Sequence, residues 1–215
     1  MKHDKVVAAT GDMLFRGVTP RIINLEPRRQ FRAPGEGLDE TVYVCSGLLC
    51  IYRTDSSGHR AIAALRFPDE AILVGGRSAQ FGVDAIIRSS VAVSTGGGAP
   101  AVARLAMAQR NEAIAHEWLA RQSRGDAAAR VAHLLCETAI RSGQGIRGMI
   151  CPFTQEQMGE ITGQTSVNVN RVMMALQRDG LIDRQNRTIT FNDWEELARL
   201  GAWRADYLRQ EQHNG

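Results

Sequence analysis

Residues 153–166 read FTQEQMGEITGQTS, and this segment carries the strongest local structural signal in the chain. Thr154 followed three residues later by Gln157 is a capping box, which starts a helix. Gly163 ends that helix after about two turns, and Thr165 is a favourable N-cap for the helix that follows. Two helices joined by a short turn that contains glycine are typical of a helix-turn-helix, which we therefore predict here.

The second helix of this pair ends before Gly180 and has two distinct faces at 100° per residue. The face expected to pack inward is apolar and consists of Val169, Val172, Met173 and Leu176. The opposite face consists of Val167, Asn170, Arg171, Met174 and Arg178. Asparagine can pair bidentately with adenine, and arginine with guanine or phosphate, so this face suits the major groove of DNA. A polar face that meets only solvent is the alternative.

Residues 181–191 alternate apolar side chains around a polar tip and predict a short hairpin, or wing. Arg184 and Arg187 lie where such a wing can touch phosphates. From residue 152 onward the chain has seven arginines but nine acidic residues, a balance of −2, whereas DNA-binding units are usually basic. We therefore expect modest and salt-sensitive affinity for random DNA.

The first part of the chain, residues 14–98, predicts β structure. Residues 41–45 and 48–52 are rich in strand formers, and the polar cluster at 55–58 can close a hairpin onto 61–65. Several short strands with Gly and Pro turns are typical of a small barrel or jelly roll. The fold class we predict is α+β, with a β-barrel or jelly roll (1–99), a long dimerisation helix (100–124) and a winged helix-turn-helix (126–215).

Residues 100–124 predict one helix about 35 Å long with a single apolar seam. The seam residues are Met107, Asn111, Ile114 and Trp118. A seam of this length after a compact barrel has no obvious partner in its own subunit, so we expect a second copy of the chain to cover it, with Asn111 fixing the register. The alternative is that the helix packs on the barrel of its own chain.

Length and composition exclude several classes of protein. The chain has 215 residues, 44% apolar and 23% charged, which fits a globular protein and not a disordered or fibrous one. No apolar run approaches the length of a membrane span, and the N-terminus lacks the apolar stretch of a secretory signal, so we expect a cytoplasmic protein without membrane contact. Nucleophile-elbow, Walker and H-E-x-x-H motifs are absent, so we predict no enzyme and no metal site.

The sequence resembles the Crp–Fnr family of bacterial transcription regulators over nearly its whole length, most specifically in the last third. The residues that carry this resemblance are 154–159, Gly163, 165–171 and 176–182, with 132–137 similar to the preceding helix and 43–47 and 51–53 similar to the family's barrel hairpin. The resemblance implies a homodimer with a cyclic-nucleotide-binding-type barrel, a dimerisation helix and a winged helix that reads palindromic double-stranded DNA. It also implies RNA polymerase as a partner.

The resemblance further implies roles for individual residues. Arg171 matches the family's base-reading arginine and Asn170 the neighbouring specificity position, while Val167 stands where many members have glutamate and can contact a thymine methyl instead. The base-reading set is Ser166, Val167, Asn170 and Arg171. The phosphate-contacting set is Thr154, Gln155, Thr165, Arg178, Arg184 and Arg187.

The sensor is the least defined part of the sequence. Family members that bind cyclic AMP carry a Gly-Glu pair and an Arg-Ser pair, and the matching candidates for an effector pocket are Glu70, Arg77 and Ser78. Because Glu70 follows Asp69 and not glycine, we expect no dependence on cyclic nucleotide and no cofactor, with an unknown effector left open.

Three other sensing modes can be judged from the sequence. The first forty residues contain no cysteine, which excludes the family's iron–sulfur sensor. Haem ligation by His59 or His116 and a thiol switch at Cys45 or Cys50 remain as alternatives.

The sequence thus predicts a homodimeric, sequence-specific transcription regulator that does not depend on cyclic AMP. The alternative is a regulator that works through protein contacts and whose helix-turn-helix no longer binds DNA. The acidic balance of the last third supports this alternative.

Overall fold

The computed structural model describes residues 15, 17–36, 40–73, 80–95 and 100–208. The chain divides into two compact units, Met1–Asn111 and Glu112–Gly215. This division falls inside one long helix. The predicted domain boundaries at residues 99 and 126 stay predictions.

The first unit contains two four-stranded antiparallel sheets. Its strands are β1 (Arg21–Leu25), β2 (Gln30–Arg32), β3 (Glu40–Ser46), β4 (Leu49–Thr54), β5 (Arg60–Arg66), β6 (Ala71–Ile72), β7 (Gly82–Ala85) and β8 (Ser89–Thr95). The strand orders are β1-β8-β3-β6 and β2-β7-β4-β5. The described strands form a jelly-roll-like sandwich and not a closed barrel, which confirms the predicted fold class.

Strand alternation explains how the sandwich is filled. Val42 and Val44 of β3 join Leu49 of β4 and Val83 of β7 in one apolar core between the sheets. Tyr43, which lies between the two valines, points to the opposite face of its sheet.

The long helix α1 (Ala101–Arg124) has 24 residues, as the sequence predicts. Its first half packs on the outer face of the β1-β8-β3-β6 sheet, where Ala103 and Met107 meet Tyr43, Ala71 and Ala92.

The structure corrects the face of α1 that we expected to contact a second copy. Met107 and Ile114 are buried within the single chain, at 4% and 2% exposure. Asn111 Nδ2 donates to the carbonyl of Ala71 at 3.1 Å, and Trp118 Nε1 donates to the Glu137 carboxylate at 3.0 Å. These four residues face their own chain because it offers apolar surface and hydrogen-bond acceptors that match them. The alternative, packing on the barrel of the same chain, is thus observed for Met107 and Asn111, whereas Trp118 bonds to the following helix.

The second unit contains the remaining helices and one small sheet. Its elements are α2 (Ala127–Arg141), β9 (Gly148–Ile150), α3 (Gln155–Thr162), α4 (Ser166–Arg178), β10 (Ile182–Gln185), β11 (Thr188–Phe191), α5 (Trp194–Leu200) and a 3-10 turn (Asp206–Leu208). The predicted wing is the β10–β11 hairpin. Sequence reasoning missed β9, which pairs with β11, because three residues are too few to show a strand period.

A buried polar cluster lies in this unit around Glu137 of α2, which is 1% exposed. Its carboxylate accepts hydrogen bonds from Trp118 Nε1 at 3.0 Å and from the Tyr207 hydroxyl at 2.8 Å. His133 Nε2 lies 3.1 Å away, and Arg141 forms an ion pair with it. One carboxylate thus connects the second half of α1, the helix α2 and the turn near the end of the described chain.

Within the described residues, none of the helices has the length and apolar character needed to cross a membrane.

Candidate nucleic-acid interface

Local hydrogen bonds start both helices of the helix-turn-helix. Thr154 Oγ1 accepts from the backbone N–H of Gln157 at 3.2 Å, and Gln157 Oε1 accepts from the N–H of Thr154 at 2.9 Å, which is the predicted capping box. Thr165 Oγ1 accepts from the N–H of Asn168 at 3.2 Å and caps α4. Each helix start is therefore set by residues within four positions of each other.

Two glycines shape the turn between α3 and α4. Gly163 adopts φ +66°, a left-handed conformation that favours glycine, and ends α3. Gly159 lies against the turn so closely that a Cβ there would sit 2.4 Å from the carbonyl oxygen of Gln164. The close approach of the backbone at Gly159 therefore requires a residue without a side chain.

The helix α4 buries one face and exposes the other, as its sequence predicts. Its buried side chains are Val169, Val172, Met173 and Leu176. Ser166, Val167, Asn170, Arg171, Met174 and Arg178 are exposed, with Val167 at 78% and Met174 at 62%. The structure therefore brings all four predicted base-reading residues to the accessible surface of α4. Three of them, Val167, Asn170 and Arg171, line an open groove beside the start of α2.

Polar contacts join the predicted base-reading side chains to neighbouring residues. Gln155 Nε2 donates to Asn170 Oδ1 at 2.7 Å. Arg171 donates to Asn168 Oδ1, and Asn168 Nδ2 donates to Gln164 Oε1 at 2.7 Å. Sequence reasoning missed Asn168 and Gln164 because it considered only residues that point outward.

The predicted phosphate-contacting residues differ in what they already bind. Thr154 and Thr165 are exposed at the N-termini of α3 and α4, where backbone N–H groups and the helix dipole favour an anion. Gln155 is half-buried and is bonded to Asn170. Thr154 and Thr165 therefore have the surroundings expected of phosphate contacts.

The three arginines of this set have partners in their own chain. Arg178 pairs with Asp179 at 3.1 Å, and Arg184 Nε donates to the carbonyl of Asn186 at 3.3 Å. Arg187 donates to the carbonyls of Cys151 and Pro152 at 3.2 and 2.9 Å. Arg187 therefore joins the wing to the segment that leads into α3, and its contact with phosphate stays a prediction.

The candidate effector residues are only partly described. Arg77 and Ser78 lie outside the described residues. Glu70 is 2% exposed; its Oε2 accepts from the N–H of Phe67 at 3.0 Å, and its Oε1 lies 3.5 Å from Arg110 of α1. Glu70 is thus tied to a turn and to the long helix, and its place in an effector pocket stays a prediction.

The other sensing modes considered from the sequence find little geometric support. Among the described residues no cluster of three His, Cys, Asp or Glu side chains can hold a metal, and His59 and His116 are exposed. Burial raises the pKa of the Cys45 thiol and raises that of Cys50 to about 11. Both cysteines are therefore protonated at neutral pH and are poor nucleophiles.

Comparison with known proteins agrees with this geometry. A family model described as the Crp-like helix-turn-helix domain matches residues 129–200. The nitrogen fixation regulation protein FixK of Rhizobium meliloti (strain 1021) is 29% identical over 186 residues, which cover 84% of this chain and 88% of that protein.

Solved structures share the fold over most of the chain. FixK2 from Bradyrhizobium japonicum matches with a TM-score of 0.78 at 23% identity and covers 87% of this chain and 100% of its own. A transcriptional regulator of the CRP family from Thermus thermophilus matches with a TM-score of 0.73 at 16% identity and covers 84% of this chain and 96% of its own.

Proposed function

We propose that the chain works as a homodimer. It is a transcription regulator of the Crp–Fnr type, with a Crp-like helix-turn-helix domain at residues 129–200. The dimer reads a palindromic operator without needing cyclic AMP. It acts in the cytoplasm and contacts RNA polymerase.

The observation that carries DNA reading is the division of α4 into two faces. Its apolar side chains are buried, so the helix is anchored to its own domain. Asn170 and Arg171 are exposed on the opposite face, where a duplex can approach. Major-groove readers place an amide and a guanidinium on the exposed face of an anchored helix in this way.

Dimerisation is supported by the face of α1 that the single chain leaves exposed. Val102, Leu105 and Leu119 are 74%, 59% and 69% exposed. Leu105 and Leu119 are two heptads apart, so they lie on the same side of a supercoiled helix pair. Large exposed apolar side chains at both ends of one side of the helix favour a second copy of the same helix as their partner.

Independence from cyclic AMP is supported by the interior of the sandwich. Apolar side chains of both sheets, such as Val44, Leu49 and Val93, fill the space between them. Glu70, the one described candidate for the effector pocket, is bound to Phe67 and Arg110.

The test is binding to an operator recovered from a random duplex library. We expect Arg171→Ala to weaken specific binding by about 1–3 kcal/mol and to relax the base preference at one pair in each half-site. The control is Arg199→Ala, since Arg199 is exposed on α5 and pairs with Glu196, so it should leave the affinity unchanged. Fluorescence anisotropy at low and moderate salt, with and without cyclic AMP, measures the affinities for the operator and for random duplexes.

Two results would contradict the proposal. Equal weakening of the operator and random duplexes by Arg171→Ala would make Arg171 a phosphate contact. A wild-type protein that binds no duplex at low salt would favour the alternative regulator, which works through protein contacts.

A further inference from the structure

The amide of Asn170 is the only base-reading group in the described α4 whose donor and acceptor ends can exchange places. An asparagine side chain offers one carbonyl oxygen and one NH2 group. Adenine presents an acceptor and a donor in the major groove, so a free asparagine can pair with it bidentately. The base that Asn170 prefers therefore depends on which end of its amide faces the duplex.

Gln155 contacts the oxygen end of this amide. Its Nε2 donates to Asn170 Oδ1 at 2.7 Å, across the gap between the start of α3 and the exposed face of α4. On the other side of the same amide, Asn170 Nδ2 lies 3.9 Å from the sulfur of Met174, a weak acceptor. Both contacts place Oδ1 of Asn170 toward Gln155 and its Nδ2 toward Met174.

With its oxygen engaged, Asn170 presents N–H donors to a base. The guanidinium of Arg171 is also a donor only. Donors select base edges that carry acceptors: guanine offers two, O6 and N7, and thymine offers O4, whereas the N7 of adenine lies beside an amino group that is itself a donor. The bidentate pairing with adenine, which the sequence suggested for Asn170, needs Oδ1 to face the base, whereas the bond from Gln155 turns Oδ1 toward the start of α3.

We propose that Gln155 is a specificity-positioning residue: by binding Asn170 Oδ1 it makes Asn170 read a guanine or thymine oxygen and disfavour adenine and cytosine at that base pair. This inference rests on the proposed function. It gives Gln155 a role different from the phosphate contact that its position at the start of α3 suggested.

The deciding variant is Gln155→Glu. A carboxylate can only accept, so the amide of Asn170 must turn and give its Nδ2 to the new side chain, which leaves Oδ1 to face the base. The preferred base at that pair should then change to adenine or cytosine, whose amino groups are donors. We expect the ratio of affinities for the two kinds of base to change by about tenfold.

The matched control is Gln157→Glu. It makes the same amide-to-carboxylate change two residues further along α3 and adds the same negative charge near the duplex. Gln157 reaches back to the N–H of Thr154, and glutamate does this equally well in a capping box. This control separates two effects of the added negative charge. General repulsion from the phosphates weakens binding to every sequence, whereas a reoriented Asn170 changes the preference at one base pair.

The experiment compares full-length wild type, Gln155→Glu, Gln155→Ala, Gln157→Glu and Asn170→Ala by selection from a random duplex library followed by sequencing. Asn170→Ala identifies the base pair that Asn170 reads, because the preference there disappears. The proposal is supported if Gln155→Glu changes the preferred base at that pair alone, Gln155→Ala weakens the preference there, and Gln157→Glu selects the wild-type sequence. Circular dichroism confirms that each variant is folded.

The proposal is overturned if both glutamate variants select the wild-type sequence and only bind more weakly, since Gln155 would then be a phosphate contact. It is also overturned if the wild type already prefers adenine at the Asn170 pair. A wild-type protein that selects no sequence at all contradicts the proposed function itself, a result visible before any variant is compared.

Discussion

Glu137 keeps its charge although it lies in the interior of its domain. Burial alone raises the pKa of a carboxyl, but the charge of Arg141 and the hydrogen bond with His133 outweigh burial and lower the pKa of Glu137 to about 2. Burial and the charge of Glu137 raise the pKa of its neighbour Tyr207. Glu137 is therefore ionised at neutral pH, and its hydrogen bonds from Trp118 and Tyr207 go to a charged acceptor.

We expect Glu137→Gln to lower the free energy of unfolding by about 3 kcal/mol near pH 7, because Arg141, whose side chain is 1% exposed, loses the charge that it faces. The folded pKa lies below the ordinary value of 4.5. The contribution of Glu137 is therefore complete above about pH 4.5 and is lost as the pH falls toward about 2. Urea unfolding across this pH range should show the free energy of unfolding of the wild type falling toward that of the variant.

The control for this prediction is Glu196→Gln, which removes an exposed carboxylate paired with Arg199 and should change stability little. Equal stability of wild type and Glu137→Gln at neutral pH would show that the network contributes nothing to folding.

At the scale of elements, the packing of α3 against the turn before α4 depends on the missing side chain of Gly159. Helix propensity predicts that Gly→Ala inside a helix stabilises by up to about 1 kcal/mol. The contact predicts the opposite sign, since a Cβ would lie 2.4 Å from the backbone oxygen of Gln164 and overpacking typically costs about 1–3 kcal/mol. The cost of this close contact should outweigh the gain in helix propensity, because a backbone atom cannot move aside as a flexible side chain does.

We therefore expect Gly159→Ala to lower the midpoint of thermal unfolding and to weaken operator binding, because the turn that positions α4 must shift. Calorimetry and anisotropy measure the two effects. Glu156→Ala, an exposed change on the same helix, is the control and should alter stability by less than about 0.5 kcal/mol. A more stable Gly159→Ala protein would mean that helix propensity outweighs the contact.

At the scale of the whole molecule, the proposed dimer depends on the exposed face of α1. Changing both Leu105 and Leu119 to glutamine removes two large apolar side chains that are 59% and 69% exposed in the single chain, so the fold of each subunit should be unaffected. We expect the variant to sediment as a monomer at concentrations where the wild type is a dimer. It should also bind a palindrome no better than a single half-site.

The control for the dimer is Arg104→Gln, an exposed change that removes no apolar side chain from this face of the same helix. A wild type that sediments as a monomer at every concentration, or a double variant that stays dimeric, would contradict this arrangement.

The amino-acid sequence by itself determined the parts of this protein that depend on short-range interactions. The capping box of Thr154 and Gln157, the stop at Gly163 and the cap at Thr165 involve residues within a few positions of one another, so their spacing predicts the helix-turn-helix. The buried and exposed faces of α4 follow from the helical period for the same reason. The strand-rich first part and the wing hairpin were also predictable from local alternation.

Only the tertiary structure decided which surfaces meet. The sequence shows an apolar stripe through Met107 and Ile114, but periodicity cannot tell whether a helix buries a stripe in its own subunit or against a second copy. The contacts of Glu137 with Trp118 and Tyr207, and of Gln155 with Asn170, join side chains that are 15 or more positions apart. Such pairs depend on how the elements pack in three dimensions, and no local pattern in the sequence records that packing.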